Sequence, residues 1–169
     1  MYKKILPIAI AVLVATACNN NSENKETPAA DTAGHEGHDH GTTPNTAAIP
    51  ELPAIPEGAK VYFKNLKDGQ TVTSPFKVEM GVDQMSLDTA NGIVKAASGH
   101  HHILIGLDSV TTGTVVPKDS VHLHFGNAQS EAEVKLAPGK HKLTLQFADA
   151  LHRSYGPKLT SSVTINVKQ

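Results

Sequence analysis

Between Asn19 and Ala48 the chain contains no Val, Ile, Leu, Met, Phe or Tyr. A run of Asn, Ser, Glu, Thr, Ala, Gly, Pro and His has no apolar surface to offset the entropy of ordering it, so it is expected to be a disordered tether. Pro44, Pro50, Pro53 and Pro56 stiffen its second half toward extended chain. Of the 169 residues, only 59–169 then carry enough regularly spaced apolar side chains to bury a core. The reading is a signal segment over 1–17, a Cys-headed His/Pro-rich tether over 18–58 and one folded domain over 59–169.

The segment before the tether has its own logic. Lys3 and Lys4 precede a nearly continuous apolar stretch from Ile5 to Val14, and Ala15-Thr16-Ala17 lead into Cys18. A basic start, a short apolar run and small residues at the end make a secretory signal. The stretch is too short to cross a bilayer core of ~30 Å as a helix. Its end resembles a bacterial lipoprotein signal, with Ala15 where Leu is commoner. That resemblance implies cleavage before Cys18, diacylglycerol on its thiol and an acylated amine, as with palmitate. Several acyl chains on one residue anchor a protein stably to a membrane. The only Cys in the sequence is thus read as an anchor, which also excludes a disulfide framework. Asn19 follows it where an inner-membrane retention signal carries Asp, so the expected address is the bacterial cell envelope, at the outer membrane.

The domain reads as all-β. Phe76, Val78, Met80 and Val82 fall on one face of a period-two run, as do Ala132, Val134 and Leu136, then Leu143, Leu145 and Phe147, then Val163, Ile165 and Val167. Val61–Phe63, His101–Leu107 and Val121–Phe125 bring the count to about seven strands. Turn signals such as Asp68-Gly69, Asn91-Gly92 and Gly156-Pro157 separate them. Ala137-Pro138-Gly139-Lys140 reads as a tight hairpin, with Gly139 free to take positive φ. The expected fold is an antiparallel immunoglobulin-like β-sandwich, covered on one side of each sheet, with a small barrel as the alternative.

Ten His residues are the chemical signal. Residues two apart on a strand point the same way, ~6.5–7 Å apart along the backbone. His100 and His102 therefore share a face, as do His122 and His124; antiparallel pairing of their strands would place four imidazoles on one patch. His152 follows at a strand end. These five are the candidate ligands of a copper or zinc ion, since imidazole suits both. His35, His38 and His40 in the tether form a second, weaker candidate site. Other assignments are plainer. His101 shares parity with Ile103 and is expected to be a hydrogen-bonded core residue. His141 is set aside beside the Pro-Gly turn. Met80 reads as core, and Met85 is undecided between core and thioether ligand.

Several pieces carry a family resemblance: Tyr62-Phe63, Asn65-Leu66-Lys67-Asp68-Gly69, Ser74-Pro75-Phe76, Gly99-His100-His101-His102, His122-Leu123-His124-Phe125-Gly126 and Pro138-Gly139-Lys140-His141. Together they resemble the bacterial domain of unknown function family 4399 over nearly all of residues 60 to 168. The resemblance implies an exported β domain, and the His positions recur as signature elements in similar proteins. It supplies no activity or cofactor.

Composition narrows the function. A net charge of −1, 4% aromatics and no Trp give no basic field or stacking platform, so no nucleic-acid partner is expected. There is no Gly-x-Ser-x-Gly, no His-Glu-x-x-His and no phosphate-cradling loop, and Asp149 with His152 has no assigned nucleophile, so the chain is not expected to be an enzyme. The expectation is a membrane-anchored protein whose β domain binds a transition metal. A structural or interaction module of the envelope, without metal, is the alternative.

Overall fold

The computed structural model describes residues 48–169. The expected signal segment, Cys18 and the tract of His35, His38 and His40 lie outside the described residues. Nine strands form: β1 (Lys60–Phe63), β2 (Thr71–Thr73), β3 (Phe76–Asp83), β4 (Ser86–Leu87), β5 (Ser98–Ile105), β6 (His122–Phe125), β7 (Glu131–Val134), β8 (Gly139–Ala148) and β9 (Thr160–Lys168). A single 3-10 turn, Pro157–Leu159, precedes β9. Among the described residues no helix is long and apolar enough to cross a membrane.

The strands make two sheets. One has the order β1-β3-β7; the other runs β2-β9-β8-β5, with the far edge of β5 shared by β4 and β6. The alternating faces read from the sequence meet between them. Val61, Phe76, Val78, Met80 and Val134 from the small sheet join Ile103, Leu143, Leu145, Phe147, Ile165 and Val167 from the large one in a single buried cluster. Each such side chain, fully buried, contributes about 1.5–3 kcal/mol from removed apolar surface. The chain is therefore all-β with two facing sheets. Met85 is also in this cluster, which settles it as core.

Three features differ from expectation. β2 and β4, with three and two residues, are too short to show an alternation and add to the seven expected strands. Both pair in parallel, β2 with β9 and β4 with β5, so the large sheet is mixed rather than purely antiparallel. Residues 137–140 do not close a hairpin. β7 pairs with β3 and β8 with β9 and β5, so this connection crosses from one sheet to the other. Turn chemistry permits the chain to reverse there, and Gly139 does take φ 139°, but the available strand edges decide the partner.

The folded unit also starts before residue 59. Leu52 and Ile55 are half-buried against the main core, and Arg153 donates from Nη1 to the Pro50 carbonyl (2.6 Å) and from Nη2 to that of Glu51 (3.3 Å). Those two apolar residues were counted as tether because they lie outside any periodic run. A chain starting at Lys60 should accordingly lose about 1–3 kcal/mol relative to one starting at residue 48. Thermal unfolding followed by circular dichroism should show a Tm lower by roughly 4–10 °C. Equal melting would mean that Leu52 and Ile55 contribute nothing.

Candidate metal centre

β5 is the central element of the site, and its burial shows why. All residues from Ser98 to Leu104 are buried, on both faces. The inward face, His101 and Ile103, meets the core. The outward face was expected to be open and is covered instead. The loop after β5 lays Val110 and Val116 over Leu104 and Ala148, and Val116 is 4% exposed. This loop is tied to the one following β8 through Val116 N to His152 O (2.9 Å), Gly113 N to Ser154 O (2.8 Å) and Ser154 N to Thr114 O (2.9 Å). A polar row that alternation alone would leave in solvent is thereby enclosed.

Register then gathers the histidines. β5 and β6 pair antiparallel with His102 opposite His124 and Leu104 opposite His122. Two glycines make room. A Cβ at Gly99 would lie 2.3 Å from the Ala148 carbonyl oxygen, and one at Gly126 would lie 2.3 Å from His124 Nε2. The glycines that open the triple-His run and close His-x-His-Phe-Gly are thus steric requirements of close strand packing and of the His124 ring position.

His152 arrives from a different element. Asp149 is buried and accepts at Oδ1 from Leu151 N and Arg153 N, both at 2.9 Å, and at Oδ2 from Arg153 Nε at 2.8 Å. His152 itself sits at φ 63°, an uncommon conformation for a residue with a side chain, of the kind that cores and sites sustain by surrounding contacts. The far end of this loop is fixed by the Tyr155 hydroxyl, which donates to Ser98 O at 2.7 Å; burial, followed by the Asp149 charge, pushes that hydroxyl up to about 12. The Asp149–Arg153 pair therefore acts as the frame that holds His152, rather than as half of an acid–base couple.

Four rings meet: His100, His102, His124 and His152. His102 Nε2 is 2.9 Å from His100 Nε2, and His152 Nε2 is 3.1 Å from His124 Nε2. One ligand nitrogen from each of His100, His102 and His124 lies within 4.8 Å of the others. Five of the six centroid separations lie between 4.8 and 5.1 Å, and His102–His152 is 6.3 Å. In a square both diagonals would exceed the edges by about 40%, so the four rings are not arranged as a flat square. A tetrahedral ion with ~2.05 Å bonds to nitrogen needs donors about 3.3 Å apart, so each close pair has only to open slightly.

His122 does not join the four. Its Nδ1 is 2.8 Å from Asp119 Oδ1, and that contact holds the Asp119 carboxyl below the usual range. The expected His122–His124 pair is therefore not the one that meets: His122 stands outside the close group of ring nitrogens, with its ring on the carboxylate three residues upstream. His101 is also corrected. It is fully buried edge-on to Phe147, 5.1 Å between centroids, and neither ring nitrogen has a hydrogen-bond partner. His141 donates from Nε2 to Ala137 O at 2.8 Å, apart from the cluster.

Electrostatics disfavour protonation of His100, His102 and His124. Burial pushes His100 down to about 3 and His102 to about 2, with the neighbouring imidazole charges adding to both. Burial, then the charge of Lys64, takes His101 to about 4. His124 is lowered by burial first, then by His152 and Lys118. Neutral imidazole is the form that ligates metal.

A family model for a domain of unknown function, DUF4399, matches residues 78–168, a span that contains all four rings and the Asp149–Arg153 frame. The chain belongs to this family. No curated protein matches it.

Two outcomes follow. Replacing Gly126 by Ala should leave a folded domain yet displace the His124 ring, weakening metal binding by about tenfold or more in calorimetry; unchanged affinity would remove His124 from the site. The pH dependence has a definite sign. These rings stay neutral when folded but take protons near 6.5 when unfolded, so stability is complete above pH 6.5 and falls as pH drops toward the folded values of about 2 to 4. Urea midpoints measured from pH 7.5 to 4.5 should decline, and His101→Leu should raise them at every pH and flatten the decline.

Proposed function

We propose that the domain binds one transition-metal ion, zinc or copper, through His100, His102, His124 and His152. The observation that supports it most is the convergence of four imidazoles, two of them fully buried, from three separate elements, with ring nitrogens paired at 2.9 and 3.1 Å. A cluster of this kind has little value to stability. Each close nitrogen pair accommodates a single proton, and Nδ1 of His100 and His102 has no partner. An unsatisfied buried polar atom costs about 1–3 kcal/mol. An ion accepts all four lone pairs at once.

The non-planar grouping of the rings supports zinc or cuprous copper over cupric. The outer shell supports an exchangeable ion. Metal-bound His residues ordinarily donate their second nitrogen to a carboxylate or carbonyl, and loss of such a partner weakens binding by about 10–100-fold. His100 and His102 have none among the described residues. Buffering or delivery therefore suits the site better than permanent structural retention, and no enzymatic step is assigned to it.

The protein is read as lipid-anchored at Cys18 in the bacterial envelope, at the outer membrane, from the signal-like segment that ends at its sole Cys. Intact mass of the membrane fraction should show acyl chains on a chain beginning at Cys18; an unlipidated N-terminus elsewhere would contradict this.

The test of the metal site uses the mature chain with His35, His38 and His40 changed to Ser. Calorimetry at pH 7.5 should give one zinc ion per chain. His102→Ala, His124→Ala and His152→Ala should each lower affinity at least about tenfold, whereas His122→Ala should change it less than about threefold. Saturable binding that survives the paired loss of His102 and His124 would place the ion elsewhere. Absence of binding would favour the interaction-module alternative.

A further inference from the structure

The four-ring cluster is not closed on all sides. His100 sits at its back, fully buried, while His102, His124 and His152 line a cavity of about 350 Å³ together with Val115, Val116, Pro117 and Lys118. That volume is about ten times a water molecule's share of liquid, so the space exceeds what one coordinated water occupies. The walls are held by backbone. Val115 bridges to Arg153, and Val116 N donates to the carbonyl of His152. Three of the four loop residues are apolar, and the fourth is a cation. The neighbouring carboxylate turns to other partners: Asp119 Oδ1 is engaged with Val121 N, His122 N and the His122 ring. Among the described residues no acidic side chain forms an ion pair with Lys118.

We propose that the metal held by this cluster keeps a coordination position facing the cavity, and that the cavity takes a small carboxylate with a short apolar body. One carboxylate oxygen binds the ion, Lys118 pairs with the other, and Val115, Val116 and Pro117 receive the hydrocarbon. The inference rests on the metal reading above and deepens it. Three ring nitrogens plus an external donor complete a tetrahedral shell, and all four plus the donor make a five-coordinate one, both usual for zinc. Lys118 suits a carboxylate because a charged pair in a partly enclosed site is stronger than one in water. A neutral amide of the same shape lacks that pairing and the anionic donor.

Cobalt(II) reports coordination through its visible bands and replaces zinc in nitrogen sites. The mature chain with His35, His38 and His40 changed to Ser is loaded with one equivalent of cobalt and titrated with sodium propionate at constant ionic strength. Propionamide and sodium chloride serve as controls. Propionate should shift the bands saturably and the controls should not. Lys118→Gln should weaken the propionate response by about tenfold, while Lys118→Arg restores it. An unchanged spectrum with propionate, an equal response to chloride, or an equal response in Lys118→Gln overturns the proposal and leaves the metal site standing. Absence of cobalt bands before any carboxylate is added overturns the metal reading, and this proposal with it.

Discussion

The antiparallel register of β5 against β6 is the constraint on which the site depends. With His102 opposite His124, the outward rows of both strands lie side by side, and two of the rings that matter become cross-strand neighbours. A slip of one residue would send His100, His102 and His124 to the opposite face, because strand side chains alternate with period two. Ile103, Leu123 and Phe125 resist that slip, since they would have to leave the core. The hydrophobic core thus fixes the position of the histidines, although none of the four belongs to it.

The sequence made the sheet faces legible and the enclosure illegible. Every strand of four or more residues was expected, β3, β7, β8 and β9 from their alternation and β1, β5 and β6 as short runs between turn signals. β2 and β4 were not, being shorter than the pattern that reveals a strand. Alternation also showed that His100 and His102 share a face with each other and not with His101. It could not show that this face is covered, because Val110, Val116 and their loop carry no period and their destination is set by hydrogen bonds to residues 152–154. The choice between His122 and His152 followed the same logic. Spacing favoured His122, two residues from His124; its ring sits on Asp119 and outside the close group. His152 lies in a loop whose shape comes from Asp149 and Arg153. Asp119-x-x-His122 and Asp149-x-x-x-Arg153 were the available signals, and each is too common in loops to be distinctive.

Burying this much neutral imidazole is costly, which gives the architecture its meaning. His101 contributes an unpartnered ring to the core face while His100 and His102 occupy the other. The folded domain must hold these groups uncharged at pH values where free histidine takes a proton, so its acid stability is spent on keeping the cluster neutral. The same property readies it for a metal: at His100 and His102 a cation competes with no bound proton until the pH approaches about 3. Exposed to changing acidity, the site would retain those two donors for as long as the domain stays folded.

The most direct measurement is the position of the ion itself. Crystals of the domain grown with zinc, recorded on both sides of the zinc absorption edge, locate it by anomalous scattering. The account predicts one peak per chain, about 2.0–2.1 Å from ring nitrogens of His100, His102, His124 and His152 and on the cavity side of His100. A peak bound by His122 and Asp119, or no peak among the four rings at saturating zinc, would contradict it.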